Sequence, residues 1–74
     1  MIDYYSLIAK AVTNLQSRQA RRAVYERGRN ALMAELKAVR PSLRQSIITQ
    51  EMFVFEEAIR KVEAEMARRA GEAG

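Results

Sequence analysis

Three stretches of the chain place apolar residues at helical intervals. In the first, Tyr5, Ile8, Val12 and Leu15 are spaced three, four and three apart and line one helix face. Asp3 is the natural N-cap, its carboxylate accepting an orphan backbone N–H, and the pattern predicts a helix over 4–15. In the second, Tyr25, Gly28, Leu32, Leu36 and Val39 form the stripe, flanked by Val24 and Ala31. Ser17 is a candidate N-cap, and Pro41 disfavours helical backbone at Arg40, so this helix is expected over 18–39. No Gly or Pro separates Leu15 from Arg18, which leaves a single long helix open. The phase argues against it: at about 100° per residue the second stripe is rotated by more than a third of a turn from the first. A turn at Asn14–Ser17 lets both stripes face one core.

The third stretch is the most regular. Ile48, Met52, Phe55, Ile59, Val62 and Met66 are spaced four, three, four, three and four apart, a heptad seam. Glu56, Glu57 and Glu65 each precede Arg60, Lys61 and Arg69 by four positions, the favourable order for pairs along a helix. Two starts remain open, a capping box of Ser42 with Gln45 or a cap at Ser46. With Gly71 as the stop, a helix is expected over 46–69 and a frayed tail over 71–74. Ile47, Val54 and Ala58 flank the seam and widen the face expected to be buried. Phe53 projects on the far side from Met52 and Phe55 and, beside Val54, is a candidate intermolecular contact.

These elements define an all-α fold: one domain over 1–70, an antiparallel helical hairpin or three-helix bundle. The third helix would be about 36 Å long and the first about half of that. Laid side by side, the shorter helices leave part of the seam bare, and a second copy of the chain is the simplest cover. Dimerisation through the long C-terminal helix is therefore expected, with Ile48, Met52, Phe53, Phe55, Ile59, Val62 and Met66 as the interaction seam. The alternative for the seam itself is a core stripe within one chain. Gly28, on the stripe of the second helix with Tyr25, Leu32 and Leu36, marks close packing. A mid-helix Gly costs about 1 kcal/mol relative to Ala, which a close approach of another group would explain.

Composition narrows the chemistry. The 74 residues contain no Cys and no His, so disulfides and the usual zinc, haem and iron–sulfur ligands are excluded. A chain of this length has a marginal core and uses a staple, and here oligomerisation or docking is the one left. Absence of cysteine fits a reducing compartment. The start lacks the basic and apolar regions of a signal peptide. The longest apolar runs, Ala31–Ala34 and Met52–Phe55, fall far short of the roughly 20 residues that span a bilayer. A soluble, cytoplasmic protein without a membrane span is expected. No Gly-rich phosphate loop accompanies the missing His and Cys, and Glu56, Glu57, Glu63 and Glu65 have no facing acidic cluster or Glu-x-x-His unit. No enzymatic activity, cofactor or metal is expected.

Charge is uneven. Residues 1–45 carry nine Lys/Arg against three acids, and residues 46–74 carry four against six, together the +4 of the chain. Arg18, Arg22, Arg29 and Arg40 fall on one side of the second helix, with Lys37 beside them. This is a candidate anion ridge and the basis of an alternative reading as a nucleic-acid-binding helical protein. Against it, Glu26 interrupts the ridge and no stacking platform of aromatics accompanies it. A membrane-surface helix is the third reading, disfavoured because the second helix has little apolar face to spare.

The string Arg21-Arg22-Ala23-Val24-Tyr25-Glu26-Arg27-Gly28-Arg29-Asn30-Ala31-Leu32, then Pro41, then Glu56-Glu57-Ala58-Ile59-Arg60-Lys61-Val62-Glu63, resembles a small helical domain of alphaproteobacterial proteins with no assigned activity. The opening Asp3–Val12 resembles the start of that domain, and the likeness covers Asp3–Arg69. Two positions depart from the pattern: Gly28, where the domain has Ala, and Arg44, where it has a polar cap. The resemblance implies a cytoplasmic assembly or anchoring module, N-terminal to a low-complexity linker and sometimes a membrane segment. Glu26 and Arg29, within the shared string, are candidates for pairing with the third helix.

Overall fold

Helix termini follow from local chemistry. The computed structural model describes residues 2–73. The Asp3 carboxylate accepts from the Ser6 backbone N–H at 3.1 Å and starts α1 (Tyr4–Val12). α1 ends three residues short of the expected Leu15. The Thr13 hydroxyl donates to the Ala9 carbonyl at 2.8 Å, and the Leu15 N–H bonds the Val12 carbonyl as the chain turns. The turn therefore lies where the change of phase places it. Ser17 caps α2 (Arg18–Ala38), its hydroxyl accepting from the Ala20 N–H at 3.3 Å. Val39 is extended, two residues before Pro41. α3 (Gln45–Ala73) begins with the Arg44 carbonyl accepting from Ile47 and Ile48. Neither Ser42 nor Ser46 takes the capping role expected of it. Gly71 does not stop the helix either: its backbone stays at negative φ, and α3 continues through Ala73. Of the expected frayed tail, Gly74 lies outside the described residues.

The three helices form an all-α bundle about 50 Å long and 17 by 16 Å across. α2 lies antiparallel on α3, with Arg21 opposite Glu63, Gly28 opposite Phe55 and Arg29 opposite Glu56. α1 runs parallel to α3. Tyr4 meets Glu51 and Phe55, while Val12 and Thr13 share a concavity with Val62 and Met66. One core joins Tyr4, Ile8 and Val12 to Tyr25 and Leu32 and to Phe55, Ala58, Ile59 and Val62.

This arrangement matches the alternative reading of the α3 seam, a core stripe within one chain. Ile48, Phe55, Ile59 and Val62 are buried and Met52 and Met66 half-buried within one chain, with Val62 only 2% exposed. The expected bare stretch came from weighing the long α3 against the short α1. α2, with 21 residues, runs from Glu63 past Phe55 toward the start of α3 and lies along most of the seam, while α1 packs beside it from Glu51 to Val62. The two helices shelter the same stretch of the ridge from two sides, both touching Phe55. Burial of each such side chain contributes about 1.5–3 kcal/mol.

Three smaller expectations change as well. Tyr4, not Tyr5, is the buried tyrosine of α1, so the stripe reads Tyr4, Ile8, Val12. Ile47 and Val54 do not widen the buried face, since both are exposed; Ala58 does. Val39, past the end of α2, is exposed too.

At Gly28 α2 and α3 approach closely. A Cβ built on it would lie 2.9 Å from Phe55 Cζ. The ring has little freedom to retreat, because Tyr4 packs on it edge-to-face with centroids 5.5 Å apart at 77°. Gly28→Ala should therefore destabilise the fold by about 1 kcal/mol, the clash outweighing a helix-propensity gain of similar size. In a Phe55→Leu background, which removes the ring, the same substitution should stabilise. Urea unfolding of the four proteins checks this, and a Gly28→Ala that stabilises both backgrounds contradicts it.

Candidate interaction surface

A polar network fixes which face of α3 is sheltered. Arg21 falls on the apolar stripe of α2, four residues before Tyr25, and is 8% exposed, the one buried charged residue among those described. Its guanidinium grips Glu63 twice, Nε to Oε2 at 2.7 Å and Nη2 to Oε1 at 3.1 Å. Nη1 donates to the carbonyls of Leu15 and Gln16, both at 3.0 Å. One side chain thus ties the α1–α2 turn to α3. The Tyr25 hydroxyl also donates to Glu63. Two turns further along α2, Arg29 pairs with Glu56 and bonds Glu26 at 3.2 Å. At the other helix contact the Tyr4 hydroxyl donates to Glu51 at 2.9 Å. No buried polar side-chain atom among the described residues lacks a partner.

These contacts shift the titrating groups. Hydrogen bonds from Arg21 hold Glu63 below its ordinary 4.5, against the opposing effect of burial, and those from Arg29 do the same for Glu56. Burial first, and the bonded carboxylates second, push Tyr4 and Tyr25 up to about 12 from 10.

The network also breaks up the expected anion ridge. Arg29 is turned to Glu56 and Glu26, and Arg40 lies beyond the end of α2 and donates to Ser42 at 3.3 Å. Arg18 and Arg22 remain on the solvent side of α2. The ridge therefore does not present four cations on one helical face. The salt bridges along α3 are rearranged as well. Glu56 pairs with Arg29 rather than Arg60, Glu57 pairs with Arg60 rather than Lys61, and Glu65 takes Arg69 as expected but also Arg68.

Besides the small concavity between α1 and α3, two larger ones lie on the surface. The larger, about 630 Å³, lies between the α1–α2 turn and the end of α3 and is lined by Arg18, Arg21, Arg69 and Glu63 over alanines. Its Arg21 is saturated by Glu63 and two carbonyls, and its Arg69 bonds Glu65, so size alone does not make it a site. The second is shallower, about 460 Å³, between the start of α1 and the middle of α3. Its lining is mostly apolar, with Ile2, Tyr5, Phe53 and Val54 beside the charged Asp3, Glu57 and Lys61. Ile2 is 57% exposed, Phe53 59% and Val54 44%. A Phe and a Val side by side in solvent, next to an exposed Ile, form the kind of patch that marks an interaction surface.

Of the residues expected at the seam, Phe53 alone is on this outer face; the other six are core. Gly28, Tyr25, Leu32 and Leu36 are together at the α2–α3 contact. Sequence reasoning passed over Arg21 because of its charge. Its spacing on the stripe Arg21, Tyr25, Gly28, Leu32, Leu36 was the available signal. Among the described residues no group of acids is placed to hold a metal, and no helix is long and apolar enough to cross a membrane. No protein-family model matches the chain, and no curated protein and no solved structure matches it.

Removing the Arg21 guanidinium strands Glu63 and two turn carbonyls. Arg21→Met should cost about 2–4 kcal/mol, and Glu63→Gln, which keeps an acceptor, about 1–2. Chemical denaturation measures both; equal, negligible losses would contradict the clamp. The pH dependence has two edges. Glu63 and Glu56 titrate lower folded than unfolded, so their contribution is complete above 4.5 and is lost as pH falls below it. Tyr4 and Tyr25 titrate higher folded than unfolded, so theirs is intact below 10 and is lost as pH rises toward 12. Melting temperature should fall at both edges, and Tyr25→Phe should flatten the alkaline one. An alkaline edge unchanged by Tyr25→Phe would contradict the assignment.

Proposed function

We propose that the chain is a non-enzymatic protein–protein interaction module that self-associates, through the outer face of α3 and not through its core seam. The observation that supports this is Phe53. It sits in the first third of the longest helix, it is 59% exposed, and its exposed neighbours Val54, Ile2 and Tyr5 make the patch continuous. Solvation of a large aromatic in such a patch is unfavourable, and its burial against a partner supplies the drive for association. The rest of the bundle acts as a rigid support: the Arg21 clamp and the Phe55–Gly28 contact hold α3 in one rotation, so the patch is presented on a fixed helix face. An assembly role in the cytoplasm is also what the resemblance noted from the sequence implies.

A nucleic-acid role has no comparable support, since Arg29 is spent on Glu56 and Arg40 stands apart from the helix.

Sedimentation equilibrium at tens of micromolar tests the proposal. The wild-type chain should sediment as a dimer, and Phe53→Ser should shift it to monomer with unchanged helicity by circular dichroism, because Phe53 lies outside the core. A wild-type chain that stays monomeric at these concentrations, or a Phe53→Ser dimer as tight as wild type, would refute it.

A further inference from the structure

The outer face of α3 carries a second periodic stripe, and its two halves differ. Ile47, Gln50, Val54, Glu57, Lys61, Ala64, Arg68 and Gly71 recur at alternating intervals of three and four that keep them on one side of the helix, roughly opposite the buried seam. Phe53 stands beside them. All are exposed except Glu57, which is half-buried. The half toward the start of α3 is mostly large and apolar and ends on an acid: Ile47, Gln50, Phe53, Val54 and Glu57. The half toward its end is basic and carries two small residues: Lys61, Ala64, Arg68 and Gly71, with Arg68 held to Glu65. Lys61 has no ion pair within the chain among the described residues. Glu57 holds only the neighbouring Arg60, on an open surface where such a pair is weak.

We infer that the partner for this surface is a second copy of the chain, docked by a two-fold axis passing level with Ile59, so that the two α3 helices cross antiparallel. The inference rests on the self-association reading above and adds the arrangement. Antiparallel pairing about that axis sets Glu57 of each chain against Lys61 of its partner. It sets Phe53 and Val54 against the partner's Ala64, and Ile47 against the partner's Gly71. It sets Gln50 against the partner's Arg68. The large apolar side chains meet small ones and Glu57 meets Lys61, each twice over, as an isologous interface requires. A parallel, in-register dimer would stack Phe53 on Phe53 and place Glu57 on Glu57 and Lys61 on Lys61, so charge and size both select the antiparallel form. The small residues near the end of α3 let the backbones approach closely enough for the Phe53 rings to be covered.

Charge exchange tests the arrangement. Glu57→Lys puts four lysines around the axis, and Lys61→Glu puts four glutamates there. Each single variant should weaken self-association by about tenfold or more. The double variant Glu57→Lys/Lys61→Glu should recover to within about threefold of wild type. An equimolar mixture of the two single variants should form a heterodimer tighter than either homodimer, read by sedimentation velocity with one chain labelled. Melting curves of each variant at low concentration confirm that the fold is intact. If wild type self-associates but the single variants associate equally well, or the double variant fails to recover, the antiparallel arrangement is wrong while the self-association reading stands. If wild type is monomeric, both fall.

Discussion

One arginine sets the geometry on which the rest of this bundle depends. Arg21 is held by Glu63 on α3 and by the Leu15 and Gln16 carbonyls of the turn, so a single guanidinium fixes the reversal between α1 and α2 and the register of α2 on α3. An arginine suits this position because its planar donors satisfy a carboxylate and two carbonyls at once. Burial of the charge is tolerable because every partner is present. With the register fixed, Gly28 comes under Phe55, Phe55 comes against Tyr4, and α1 docks along the side of α3 that α2 leaves open. The rotation of α3 follows, and so does which of its faces stays in solvent. Phe53 and Val54 are outside because Phe55, Ile59 and Val62 are inside.

Much of this was legible in the chain, and the failures have specific causes. The seams of α2 and α3 are long enough for their periodicity to name the core correctly from Tyr25 to Leu36 and from Ile48 to Met66. α1 is nine residues, too short for the same certainty. Its phase was read by including Leu15, which lies in the turn, and that choice selected Tyr5 over Tyr4. Arg21 occupied a core position in plain spacing and was masked by its charge, because an apolar pattern carries no sign for a buried ion pair. The expected bare stretch of the seam has a different cause. Helix lengths can be read from sequence, but how each helix lies along α3 cannot, and α2 with its 21 residues covers most of the ridge while α1 closes it from the other side. Helix ends failed at Gly71, which takes ordinary helical backbone, and at Ser46, which lies inside a helix that starts at Gln45.

The correction moves the candidate contact without removing it. A module that associates through its core seam would unfold when separated, coupling folding to assembly. A module that is folded alone and carries Phe53 on an outer face would, under the proposed role, associate reversibly, with the bundle intact on both sides of the equilibrium. The proposed assembly role therefore belongs to a preformed surface, and its strength can be tuned at Phe53, Glu57 and Lys61 without cost to the core.

The claim that the α3 seam is sheltered by its own chain is tested most directly by thiol reactivity as a function of concentration. The protein has no cysteine, so a single Val62→Cys or Phe53→Cys substitution reports its own position. Cys at position 62 should stay protected at all concentrations, including nanomolar, and Cys at position 53 should react freely when dilute and gain protection as concentration rises. A thiol at position 62 that becomes reactive on dilution would show the seam to be covered by a second molecule and would contradict the account.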